Sequence, residues 1–129
     1  MAQANLNGTP VEISTSKDSI VIRNVTYDIS GGRTLDVSGY APTDGVLKAG
    51  HIIIEQTSNK EVKPLNVVDD EYVALPAGHT YKGVLIATIL KAKPFAAIMT
   101  GGEVNEVASP YTVPAGAKTA LTHILFTED

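Results

Sequence analysis

Three histidines, His51, His79 and His123, are the side chains of this chain best suited to hold a metal or move a proton. They lie too far apart for a local motif such as two histidines one helical turn apart. They read instead as residues at strand ends or on the surface making ordinary hydrogen bonds, one of which could line an oligomer axis. Asp69-Asp70-Glu71 is the densest acidic cluster, but the Asp-x-Asp-x-Asp-Gly spacing of a calcium loop is missing, so a solvated loop is expected. No serine sits in Gly-x-Ser-x-Gly, and the glycines form neither a P-loop nor a dinucleotide fingerprint. Fourteen acidic residues single out no glycosidase pair. Asn24-Val25-Thr26 matches a glycosylation sequon, which matters only in a secreted eukaryotic protein. With no cysteine there is no disulfide, thiolate site or thiol nucleophile, a composition that suits assembly in a reducing cytoplasm. The expectation is a structural or binding protein: not an enzyme, with no cofactor and no metal.

The elements that would position these residues follow from composition and pattern. The 129 residues fit one domain, large enough to bury a core without staples. A net charge of −4 with ten scattered Lys and Arg residues lacks the basic footprint of a nucleic-acid binder. No apolar run approaches a membrane span, and the first residues show neither the basic region nor the apolar stretch of a leader, so neither nucleic acid nor membrane is expected as a partner. With no Trp, two Phe and five Tyr, the core falls to Val, Ile, Leu and Ala, which favours strands.

Residues 1–19, rich in Asn, Ser, Thr and Gly, read as a flexible amino-terminal arm, and 20–129 as a single β-rich domain. From Ile20 to Ile29 the apolar parity switches, which predicts a strand with a bulge near Arg23 and Asn24. Ile52 to Gln56 is the firmest strand, because three successive β-branched isoleucines make poor helix. Pro64 predicts that the strand around Glu61 to Val68 lies at an edge. Residues 84–92 form a short apolar run that fits a buried strand or a two-turn helix; the strand is favoured. Gly50, Gly78, Gly83, Gly101 and Gly102 are read as structural turns, the last pair as a turn or bulge. Pro114 to Ala120 suits one helical turn before a closing strand, Leu121 to Phe126. The fold class is mostly β: a compact barrel or sandwich-like domain of short strands with one short helix.

The order of blocks resembles that of the tailed-phage head decoration proteins of the lambda type and of related head-fibre base domains. A polar arm is followed by VLKAGHIII, KPLNV, YKGVLIATI, AAIMTGGEVNE and LTHILF, so the likeness covers roughly residues 46–127. Gly50, Gly83 and Gly102-Glu103-Val104 fall where that family's pattern places them. The resemblance implies a homotrimer on the outer surface of the virion, assembled in the host cytoplasm, that binds the major capsid protein and stabilises the head. It also implies that the arm adds a strand to a capsid-protein sheet. Val11 and Ile13 share one face of an extended segment, and Thr9 and Thr15 flank them, which suits that role. The sequence carries more amino-terminal material, the Ile20 to Ile29 segment, than the smallest members of the family. The competing reading is a β-sandwich module of a phage or bacterial surface assembly, binding carbohydrate or a protein ligand. It would need an aromatic platform, and no two of the five tyrosines are spaced as an obvious pair.

Overall fold

A computed structural model describes residues 18–29, 31–38, 40 and 45–128. The protein is mostly β, with several antiparallel sheets and two short helices among these residues. A four-residue helical turn, α1 (Asp18–Val21), leads into β1 (Ile22–Asp28), followed by the short β2 (Arg33–Thr34) and β3 (Val46–Leu47). The middle of the chain forms β4 (Ile52–Gln56), β5 (Val62–Pro64), β6 (Val67–Val68), β7 (Glu71–Tyr72) and β8 (His79–Leu85). Then come β9 (Ile89–Leu90), β10 (Phe95–Ala96), β11 (Ile98–Asn105), α2 (Ala115–Ala120) and β12 (Ile124–Thr127).

The central sheet has the order β1-β11-β8-β4-β5, all antiparallel, and β12 adds in parallel to β11. β11 therefore serves two neighbours in succession. Ile98 and Met99 pair with β8, and Gly102 to Asn105 pair with β12. Both faces of this sheet are buried at its centre, which is why Ile52, Ile53 and Ile54 are apolar in succession instead of alternating. Ile52 and Ile54 join Val84, Met99, Val104, Ala117 of α2, Leu121 and Ile124 on one side. Ile53 joins Leu35, Leu47, Leu85, Ala96 and Ile98 on the other, roofed by the ribbons β2/β10 and β3/β9.

Several boundaries differ from the sequence expectation for identifiable reasons. The strand expected from Ile20 begins at Ile22, because Asp18 opens a helical turn that buries Val21 and leaves Ile20 exposed. The expected bulge is present: the pairing of β1 with β11 shifts register between Ile22 and Asn24, and twice more along the strand. The apolar run 84–92 is strand rather than helix but is split between β8 and β9. β8 also reaches back to His79, through residues expected to turn, because Gln56, Glu55 and Ile54 of β4 supply partners for His79, Thr80 and Tyr81. Gly83 is accordingly no turn. It lies inside β8, where a Cβ would strike the carbonyl oxygen of Met99. Gly101 and Gly102 form an irregularity within a continuous β11, whereas Gly50 and Gly78 occupy turns. β5 is an edge strand, as Pro64 requires. The Asp69-Asp70 pair makes the β6–β7 hairpin turn with φ of 52° and 62°, the left-handed pair that tight hairpins use.

Candidate interaction surface

Among the described residues β1 is the long edge of the central sheet. Six of its seven residues, Arg23 to Asp28, are exposed, whereas an edge strand with one face on a core alternates. Val25 and Tyr27 are among these exposed residues, with Ile20 of α1 just before them.

The glycine pair of β11 allows this arrangement. Gly102 has a φ of 145°, and a Cβ there would collide with the Asn24 carbonyl oxygen, so only glycine lets β1 lie this close. A Cβ on Gly101 would stand 2.5 Å from Cδ2 of Tyr27. The Tyr27 ring thus lies across Gly101 and meets the His123 ring edge-on, with centroids 6.1 Å apart at 75°. One row further along, Asn24 pairs with Glu103 and Glu103 with Leu125, which puts all three on one face. Tyr27 and Leu125 are both largely exposed, at 59% and 61%. The result is a polar-flanked face with a backbone edge beside it.

The other edges differ. β5 has three residues, one of them Lys63 and the last Pro64, both of which discourage an added strand. β12 has only four residues. β1 has neither lysine nor proline; of the usual protective devices it carries only bulges and end charges.

A second cluster surrounds His51, which stands immediately before β4, one of the strand-end or surface positions expected for the histidines, but is buried there, only 1% exposed. Tyr40, Tyr72 and Tyr111 surround it at ring-centroid distances of 5.1, 5.2 and 5.9 Å. The Nε2–H of His51 donates to the Leu65 carbonyl at 2.8 Å, which fixes its neutral tautomer. Burial pulls its pKa down to about 4, against the opposing pull of the Leu65 hydrogen bond. The Tyr72 oxygen accepts the Ile52 N–H at 3.1 Å, and burial pushes that phenol well above its ordinary range. With the imidazole neutral and the Tyr72 phenol raised by burial, neither group exchanges a proton near neutrality, and the arrangement ties loops together. The tyrosines that looked unpaired in sequence meet because the 40, 72 and 111 segments converge on one histidine; no sequence spacing could have revealed it.

Of the other histidines, His79 stands at the start of β8, its Nδ1 2.9 Å from the Ala77 carbonyl, and His123 is exposed beside Tyr27. Among the described residues no three His, Asp or Glu side chains converge to hold a metal ion. Asp36 and Glu61 form an exposed pair: hydrogen bonds from Ser38 lead in lowering the Asp36 carboxyl to about 2, and Asp36 in turn raises Glu61. A hollow of about 390 Å³ beside α2 contains Glu106, Ser109, Tyr111 and Lys118, and Lys118 closes on Glu106 at 2.7 Å. The arm residues Thr9, Val11, Ile13 and Thr15 lie outside the described residues. No protein-family model, curated protein or solved structure matches the chain at a significant level.

Proposed function

We propose that this chain is a structural virion protein that decorates and stabilises an icosahedral phage head by binding the major capsid protein as a homotrimer. The observation that carries the reading is the long β1 edge, exposed along Arg23 to Asp28 and lying beside the Tyr27, His123 and Leu125 face. A surface of this kind serves strand addition and apolar contact with another polypeptide. The block order of the sequence, from the glycine turn at Gly50 to the closing strand, supports the same reading. Three-fold clustering would multiply contacts of modest individual strength on a repeating lattice. The carbohydrate-module reading draws less support, because Tyr40, Tyr72 and Tyr111 are taken up around His51 and are not displayed as a platform.

Light scattering after size exclusion, followed by sedimentation with expanded phage heads, tests the proposal. A trimer at micromolar concentration that pellets with heads at saturable stoichiometry is expected. A monomer that stays in the supernatant overturns it.

A further inference from the structure

We infer that residues 107–112, in the connection from β11 to α2, form a flap latched through Tyr111 onto His51, and that the flap opens when His51 takes up a proton. The inference stands independently of the decoration reading.

The flap lies directly on the turn that carries His51. Pro110 Cδ stands 3.1 Å, and Ser109 Oγ 3.4 Å, from the place a Cβ on Gly50 would take. The Tyr111 ring meets the His51 ring edge-on, with centroids 5.9 Å apart at 88°. Both ends of the segment are fixed. The Glu106 N–H donates to the Thr127 carbonyl at 2.8 Å, and Val113 is buried in the cluster that holds Ala117 and Leu121. Between these ends the chain is lightly held. Val107 is 69% exposed, and the hollow of about 390 Å³ borders Ser109, Pro110, Tyr111 and Thr112.

The three tyrosines around His51 are not anchored alike. Tyr72 is pinned by the Ile52 N–H at 3.1 Å, and its segment by the Val73 N–H on the Asn66 carbonyl at 3.0 Å. Tyr40 is buried in the cluster of Leu47 and Ile53. Tyr111 is half-buried, and among the described residues its hydroxyl meets only that of Tyr40, at 3.4 Å. It is the ring whose departure gives up the least hydrogen bonding.

A charge on His51 meets no counter-charge where it stands. The Leu65 carbonyl and the rings of Tyr40, Tyr72 and Tyr111 face the imidazole, with no carboxylate among them. The charged groups of the adjoining elements serve other partners. Asp70, Glu106 and Lys118 line the hollow, where Lys118 closes on Glu106 at 2.7 Å. Asp18 binds Thr88, whose oxygen accepts the Ala49 N–H in the turn before His51. An imidazolium in this place needs water, and lifting Tyr111 admits it. Burial holds the His51 pKa at about 4 in the closed form, and an exposed ring returns to the ordinary 6.5. Each opening below 6.5 therefore takes up a proton, and the ratio of open to closed flap rises about tenfold per pH unit down to about 4.

Tyr111→Ala removes the latch and tests the inference directly, with the His51 imidazole followed by NMR through a pH titration of the full chain. The midpoint, about 4 in the parent, is expected to move up by about one to two pH units in the variant. Hydrogen exchange reads the opening itself. The Ala108 and Ser109 amides should be less protected than those of Gln56 and Gly102 in the central sheet, and their protection should fall about tenfold per pH unit from 6.5 to about 4. Glu106→Gln should keep this slope and His51→Gln should abolish it. An unchanged His51 midpoint in Tyr111→Ala overturns the inference, and that titration decides alone if His51→Gln does not fold. Loop protection that is independent of pH overturns it as well, as does protection equal to that of the sheet, since the loop then opens only with the whole fold. A slope lost in Glu106→Gln also overturns it, by assigning the proton to the Glu106–Lys118 pair.

Discussion

His51 shows at the residue scale how burial turns an ordinary titratable group into a stability term. Its folded pKa, about 4, lies below the ordinary 6.5, so the fold favours the neutral form. The contribution is therefore fully present above pH 6.5 and is lost as the pH falls from 6.5 to about 4, where the unfolded chain binds the proton more readily. A shift of this size corresponds to about 3 kcal/mol. Urea unfolding at pH 7 and at pH 4 should show a loss of this order in the wild-type chain beyond that of a His51→Gln variant, whose profile should be flatter across this window. Equal slopes in the two chains would rule out His51 as the acid-sensitive group. Gly83 makes a different point at the same scale. The Met99 carbonyl occupies the place of its Cβ, so Gly83→Ala must push β8 from β11 and should cost about 2–3 kcal/mol in urea unfolding. A change below 0.5 kcal/mol would show that the strands separate freely there.

At the scale of elements, α1 is a helical turn too short to stand alone, and it is held by what it touches. Asp18 accepts two hydrogen bonds from Thr88, and the Thr88 oxygen itself accepts the Ala49 N–H at 3.2 Å. One carboxylate thus joins the start of the described chain to two turns of the core. Asp18→Ala should lose about 1–3 kcal/mol and open the α1 region to proteolysis before global unfolding. Unchanged stability together with an unchanged cleavage pattern would mean that Val21 alone holds the turn. The element expectations that succeeded were those in which one local rule dominated. Three isoleucines with no helix former between them gave β4, Pro64 gave an edge, and the parity switch after Ile22 gave a bulge. Those that missed depended on a distant partner. β8 extends to His79 because β4 offers hydrogen bonds there, and Gly83 is a strand residue because Met99 approaches it.

The whole molecule separates two kinds of apolar residue. Those of the core lie on both faces of the central sheet, whereas Tyr27 and Leu125 face outward beside the β1 edge. Leu125→Ser should therefore leave the urea midpoint of the unassembled chain nearly unchanged, within about 0.5 kcal/mol, while weakening retention on phage heads several-fold. Equal retention of the variant and the parent chain on washed heads would remove this face from the proposed contact.

By itself the amino-acid sequence determined the β-rich character, the absence of disulfides and the punctuation by glycine and proline, because each of these depends on backbone preference or composition within a few residues. Only the tertiary structure decided which strands end the central sheet among the described residues, that Gly101 carries the Tyr27 ring to His123, and that His51 gathers three tyrosines from three segments. The reason is physical. Edge status, close approach and burial are properties of pairs of segments far apart in the chain, and no local pattern encodes which pairs will meet.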